Sequence, residues 1–427
     1  MRSRKPRLSS PGLLGSRLRE SKVPLTRGRR GGSDAELGPF RSDCDAAIGA
    51  LRRALLALAE AVGCDPLRPQ EVSRRLGLNK NLTWKVARIL AAPDSFEAIS
   101  MLPGGEGVEI YLRAFASAGI DGRLVARARE AFRTFDEVVE RHFGDRGQLE
   151  LVLDGLRSDG NLENSRRLAF RGMSGVFGVQ AKMRLTAQII APSPEAEDRA
   201  DLALVVGLVG LQRLRPLGSL PVFRTSAQAG DERRRTRPLF PGERADDFMV
   251  REFSSFPRAT VHASSEAGRH VFELSEGPLG RFGASDLFFG SVAPAAVITR
   301  GQSDDRHAEF LTAISIPAEG FASDLFVHRS IGGIDTIEAS VHSTLAQPLS
   351  ADPTLRAVSR LPIDAGPILV EDLADGFGLS GAPRYGEIIA RAFEALRQDP
   401  RDYRLVRVAL PFPPVPAALL VRWELPE

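Results

Sequence analysis

Between Ser42 and Gly63 the apolar residues Ile48, Leu51, Leu55, Leu58 and Val62 recur at intervals of three and four. That spacing makes one apolar stripe and predicts a helix, started by Ser42 or Asp43 and ended by Gly63 and Pro66. Further helix-period segments follow at 69–77, 80–91, 94–102, 106–118, 122–143, 145–157 and 162–171, separated by Pro93, Pro103-Gly104-Gly105, Gly119, Gly144 and Asp159-Gly160. The period then changes. Lys182 to Ala191 alternates as a strand does, and Leu202 to Leu211 is a wholly apolar strand rich in Val and Leu. Shorter strands are expected near 220–225, 247–253, 258–263, 269–274, 285–290, 308–316, 322–329, 334–341, 403–410 and 417–424, with one strong helix over 383–398.

This order predicts an α+β multidomain chain. An all-helical domain spans 41–177 and a β-rich domain spans 178–427, as a sandwich or an open barrel and subdivided near 343–367 where prolines accumulate. Residues 166–180 hold Arg166, Arg167, Arg171, Phe170, Phe177 and three glycines where the halves meet. They predict a tight interdomain connection, with a hinge or anion-contacting loop as the other reading. The arginine-rich stretch 227–246 reads as a solvated loop.

Composition narrows the classes. The longest apolar run is ten residues, too short to span a membrane. Cys44 and Cys64 could form at most one bridge, so a reducing, cytoplasmic setting is expected. The net charge is +3, but residues 1–40 carry ten Lys/Arg against three carboxylates, a local +7. The remaining 387 residues are therefore net −4, and bulk charge does not argue for a polyanionic partner. Only five of the 57 basic residues are lysine, a bias of GC-rich coding sequence. Residues 1–40 read as a disordered basic tail; an organellar transit peptide or translation upstream of the true start would give the same composition.

One segment has the opposite balance from the body. Residues 68–92 hold Arg68, Arg74, Arg75, Lys80, Lys85 and Arg88 against Glu71 alone, a local +5. Within it, PQEVSRRLGLNKNLTWKVARIL (69–90) has the layout of a helix-turn-helix. Ser73 is the small residue where the helices touch, Gly77 forms the turn, and Val72, Leu76, Leu78, Leu82, Val86, Ile89 and Leu90 face inward. Asn81, Trp84, Lys85 and Arg88 form the opposite stripe, preceded by Asn79 and Lys80. Amides, ammonium and guanidinium are the groups that reach base edges and phosphates.

The segment resembles the helix-turn-helix of bacterial winged-helix transcription regulators, with helix 43–62 as the preceding helix. The resemblance covers about 25–50 residues. It implies a DNA-binding regulator whose contacts come from Asn79, Lys80, Asn81, Trp84, Lys85 and Arg88. It further implies double-stranded DNA and a second copy of the chain as partners, and a β-rich domain that senses a small-molecule or protein effector or drives oligomerisation. Two departures stand out: Thr83 occupies a position usually aliphatic, and helix-like segments follow where a wing would be.

A non-catalytic assembly module is the alternative reading, and an enzyme with its site in the β-rich half a further one. No cofactor, metal or catalytic residue is expected. The six histidines lack metal-binding spacing. Asp304, Asp305, His307 and Glu309 read as a turn before a strand, and GFGLSG (376–381) follows an acidic segment rather than the strand a dinucleotide loop needs.

Overall fold

The computed structural model describes residues 38–156, 162–225, 236–240, 247–255, 260–266, 269–301, 306–345, 353–371, 373 and 376–426. The basic tail before residue 38, most of the 227–246 stretch and the Asp304–Asp305 pair lie outside the described residues. The chain divides into two units, one helical and ending with residue 158, the other β-rich and extending to the C-terminus. Among the described residues, no helix is long and apolar enough to cross a membrane.

The helical unit contains α1 (Gly38–Val62), α2 (Pro69–Leu76), α3 (Lys80–Ala91), α4 (Ser95–Ile99), α5 (Gly105–Ser117), α6 (Gly122–Phe143) and α7 (Arg146–Leu156). The α1 stripe is fully buried at Ile48, Leu51, Leu55 and Leu58, against α6 residues such as Phe132 and Phe135. The helix starts four residues earlier than the sequence suggested. Phe40 explains the extension, because its buried ring packs edge-on to Phe143 at 4.6 Å and tilted to Phe96 at 5.7 Å. Cys44 and Cys64 are both buried free thiols. Burial pushes the Cys44 thiol up to about 12, so it acts as a small hydrophobe.

The β-rich unit opens with α8 (Glu163–Phe177), which corrects two expectations at once. This helix belongs to the β-rich unit rather than the helical one. It also runs unbroken through the glycines expected to form a connection or loop, and stops only at Gly178, whose φ is +68°. Its Arg166 is 3% exposed and donates to the Pro411 carbonyl.

The strands are β1 (Val179–Pro192), β2 (Arg199–Arg213), β3 (Leu220–Arg224), β4 (Arg237–Pro238), β5 (Val261–Glu266), β6 (Arg269–Leu274), β7 (Ser285–Ile298), β8 (His307–Ile314), β9 (Ala318–His328), β10 (Glu338–Ser343), β11 (Ile368–Val370), β12 (Tyr403–Pro411) and β13 (Ala417–Glu424). Two helices interrupt them, α9 (Pro353–Ser359) and α10 (Tyr385–Leu396). The strand expected at 247–253 is instead one bridge at Met249 and a 3-10 turn at Arg251–Phe253.

Seven strands form one sheet in the order β11-β12-β9-β1-β2-β7-β4, and β10-β13-β8 and β3-β6-β5 form two smaller sheets. The β1–β9 pair is parallel and the other pairings of the large sheet are antiparallel. One face of the large sheet is covered by α10, through Tyr385, Ile388, Ile389, Ala392 and Phe393. The other face carries both small sheets, each over its own core: Phe310, Leu419 and Trp423 on one side, Phe223, Phe272 and Phe289 on the other. The expected sandwich is thus a three-layer stack of helix, mixed sheet and paired small sheets.

On the helix-covered face a buried polar cluster ties the layers together. Asp324 on β9 accepts from Arg407 Nε at 2.8 Å, Arg407 Nη2 at 2.6 Å and the Tyr385 hydroxyl at 2.6 Å. Arg407 also donates to the carbonyls of Gly378 and Phe377 at 2.9 and 3.1 Å. These bonds hold the start of GFGLSG against the helix-covered face of the sheet by its own carbonyls. Burial works against the Arg407 charge, but the hydrogen bonds and attraction from Asp324 outweigh it and keep the pKa above the usual arginine value.

Candidate nucleic-acid interface

The helix-turn-helix geometry grows from three local features. Pro69 sits in the first turn of α2, where its missing N–H costs nothing. Gly77 ends α2 at φ +65°, a left-handed conformation that favours glycine. Asn79 then starts α3, its side-chain oxygen accepting from the Asn81 N–H at 2.8 Å. Ser73, 8% exposed, closes the corner by donating to the Leu78 carbonyl at 2.7 Å.

The inward face of α3 is Thr83, Val86, Ala87 and Ile89. Thr83 therefore does occupy the buried aliphatic position; its hydroxyl donates back to the Lys80 carbonyl at 3.1 Å, so no polar group is orphaned there. Arg52 on α1 anchors the far end of the helix, donating to the Ile89 carbonyl at 2.9 Å and the Ala92 carbonyl at 2.7 Å. Sequence reading missed Arg52, because an arginine in the Arg52-Arg53 pair inside a helix does not announce a contact 37 residues away.

Lys80, Asn81, Trp84, Lys85 and Arg88 are exposed together on the outer side of α3. Trp84 is 48% exposed, and the Arg88 guanidinium lies over its ring at 5.2 Å. That stacking limits the guanidinium's freedom without using its N–H donors. Among the described residues, Lys80, Lys85 and Arg88 form no ion pair. Asn79 differs from the others: its oxygen is engaged in the helix cap, so it cannot offer the paired oxygen and amide that bidentate adenine contact requires. Arg74 on α2 is also exposed, while neighbouring Arg75 donates to the Gly63 carbonyl at 3.3 Å. After α3 come α4 and α5, and no strand occurs among the described residues of the helical unit.

In the β-rich unit, His307 and Glu309 line a cleft of about 430 Å³ together with Gln188. The Glu309 carboxylate is held by buried Arg356 at 2.5 Å. Among the described residues, no three His, Cys, Asp or Glu side chains gather closely enough to hold a metal ion.

No family model matches the chain, and no curated protein matches it. Two solved structures align with 57% of this chain and 42% of theirs at 8% identity. One is a two-domain M1 zinc metallopeptidase bound to L-tryptophan, with a TM-score of 0.24. The other is an M1 zinc metallopeptidase from Deinococcus radiodurans bound to a Tyr-Ser-Ala substrate, with a TM-score of 0.23. The chain spans about two fifths of the length of those proteins, and likeness this slight carries no argument about fold or activity.

Proposed function

We propose that the protein is a cytoplasmic DNA-binding transcriptional regulator in which α3 enters the major groove of double-stranded DNA. One observation carries the reading: Asn81, Trp84, Lys85 and Arg88 are exposed on one helix face, with Lys80 at its start, and the three cations form no ion pair among the described residues. In a body that is net −4, unpaired cations on one short helix suit a polyanion better than a neutral surface. Asn81 and Lys85 are assigned to base edges or phosphates and Arg88 to the backbone, with Trp84 against the sugar edge. One such helix reads few base pairs, so the functional form is a homodimer on two half-sites. The β-rich unit serves sensing or oligomerisation.

The test is a titration of labelled duplex DNA at several salt concentrations. Each lost phosphate contact flattens the log–log salt slope by about 0.9, so K80A/K85A/R88A loses about two to three units. An unchanged slope in a folded triple mutant refutes the assignment. The exposed Trp84 ring and the absence of a strand from the described residues of the helical unit favour a second reading, a protein-docking module. That reading predicts no retention on DNA even at low salt.

A further inference from the structure

The two small sheets leave part of the large sheet's face open between them. β8 is the edge strand of one and β3 the edge strand of the other, and they bound a cleft of about 600 Å³. That volume lies within the range of small-molecule sites. β1 and β2 form its floor. Successive side chains on a strand point to opposite faces, so Met183, Leu185, Ala187 and Ile189 go to the α10 side. Arg184, Thr186 and Gln188 consequently line the cleft, and Val206 and Leu204 stand in register beside Thr186 and Gln188.

The polar groups on this floor are poorly satisfied. Thr186 is 3% exposed, and its hydroxyl has no hydrogen-bond partner. Arg184 makes one hydrogen bond, from Nη1 to the neighbouring Leu185 carbonyl at 3.2 Å, and no ion pair among the described residues. Burial lowers its pKa from 12.5 to about 10, which leaves it charged at neutral pH. Arg224 stands exposed at the rim, and no carboxylate is among the residues lining the cleft. Val206 on the floor and Leu311 and Ile316 on the wall are apolar, with Leu311 half exposed. A partly desolvated cation, an orphaned hydroxyl and the half-exposed Leu311 side chain are each unfavourable without an occupant.

We infer that this cleft binds a small organic monoanion, a carboxylate carried on an apolar body, with the carboxylate against Arg184 and Thr186. The planar guanidinium presents paired N–H donors that match the two carboxylate oxygens, and the Thr186 hydroxyl adds a third donor. Arg184 is partly buried and Arg224 is solvent-exposed at the rim, so the interior of the cleft offers one cation to balance one negative charge; a dianionic phosphate would carry an excess there. The apolar body covers Val206, Leu311 and Ile316. The inference concerns the β-rich unit alone and does not depend on DNA binding.

The experiment is calorimetric titration of the full chain with benzoate, 2-naphthoate and decanoate. Neutral 2-naphthamide and inorganic phosphate serve as comparators. At least one carboxylate binds, and the amide and phosphate bind at least about tenfold more weakly, the loss expected of a charge-assisted contact. R184Q weakens that carboxylate about 10- to 150-fold, and T186V about 2- to 12-fold, the ranges for losing a charged and a neutral hydrogen bond. R184K keeps the charge but loses the fork and falls between R184Q and the parent. If R184Q does not fold, T186V and R184K decide. Failure of all three carboxylates to bind overturns the inference, as does undiminished binding in the folded variants. Phosphate binding more tightly than every carboxylate overturns it too, because the site would then be one for an inorganic anion.

Discussion

Asp324→Ala isolates the energetics of the cluster that joins sheet, loop and α10. Asp324 is 1% exposed and Arg407 9%, so neither group can turn to water when its partner is removed. Deleting one member of a buried ion pair costs about 3–5 kcal/mol, because the other charge stays desolvated. The substitution also orphans the Tyr385 hydroxyl, which now donates to Asp324 and would add about 1–3 kcal/mol. The carbonyls of Gly378 and Phe377 still accept from Arg407 and work in the other direction. The expected loss is about 4 kcal/mol. The two units need not unfold together, so a global signal would mix transitions. The chain has two tryptophans, and W84F leaves Trp423, stacked on Phe310 at 5.4 Å, as a reporter of the β-rich unit. Urea unfolding followed by Trp423 fluorescence in that background gives the difference directly. The triple variant Asp324→Leu/Tyr385→Phe/Arg407→Met removes every member together and must lose less than Asp324→Ala alone. A single-mutant loss below about 1 kcal/mol would refute burial as the cause. A triple mutant less stable than the single would refute the uncompensated-charge argument.

Two further outcomes follow from other buried contacts. His342 is 4% exposed; its Nδ1 donates to the Arg356 carbonyl at 3.2 Å, leaving Nε2 to accept from the Ser340 hydroxyl at 2.9 Å. Burial holds its pKa below the usual 6.5, as it does at His328, so the unfolded state takes up protons first and stability falls as pH drops through 6.5 toward the lowered native value. H342Q shrinks this acid-side loss in urea midpoints measured from about pH 8 to 5, and an unchanged pH slope contradicts the assignment. In the helical unit, R52A removes the N–H contacts to the Ile89 carbonyl and to the carbonyls of Ala92 and Asp94 just beyond α3, and costs about 1.5–3 kcal/mol. Hydrogen exchange over 80–91 should then quicken by more than about tenfold while β1–β2 exchange is unaltered; equal protection in both variants would rule out Arg52 as the anchor.

The sequence by itself determined the long, strongly periodic elements, because a hydrophobic period is a local property; short ones such as α9 and β11 carry too few residues to show one. Ile48, Leu51, Leu55 and Leu58 could share a core only on a helix, and Ser73, Gly77 and Asn79 carry the chemistry of a corner within a few residues of one another. The exposed stripe of α3 was legible for the same reason: once 80–91 is a helix, burying Val86 and Ile89 turns Trp84, Lys85 and Arg88 outward. The split between helical and β-rich halves followed from the change of period, although the glycines of 172–178 suggested a break where α8 runs on. Tertiary structure alone decided what the strands face. Alternation in Lys182–Ala191 reads equally well as a strand with one wet face, and only the packing of β3 and β8 over β1 places Thr186 and Gln188 inside. The parallel pairing of β1 with β9 and the meeting of Asp324 with Arg407 join residues dozens to more than a hundred positions apart. No local pattern encodes such partners, because charge pairing and desolvation depend on which strands become neighbours once the chain has closed.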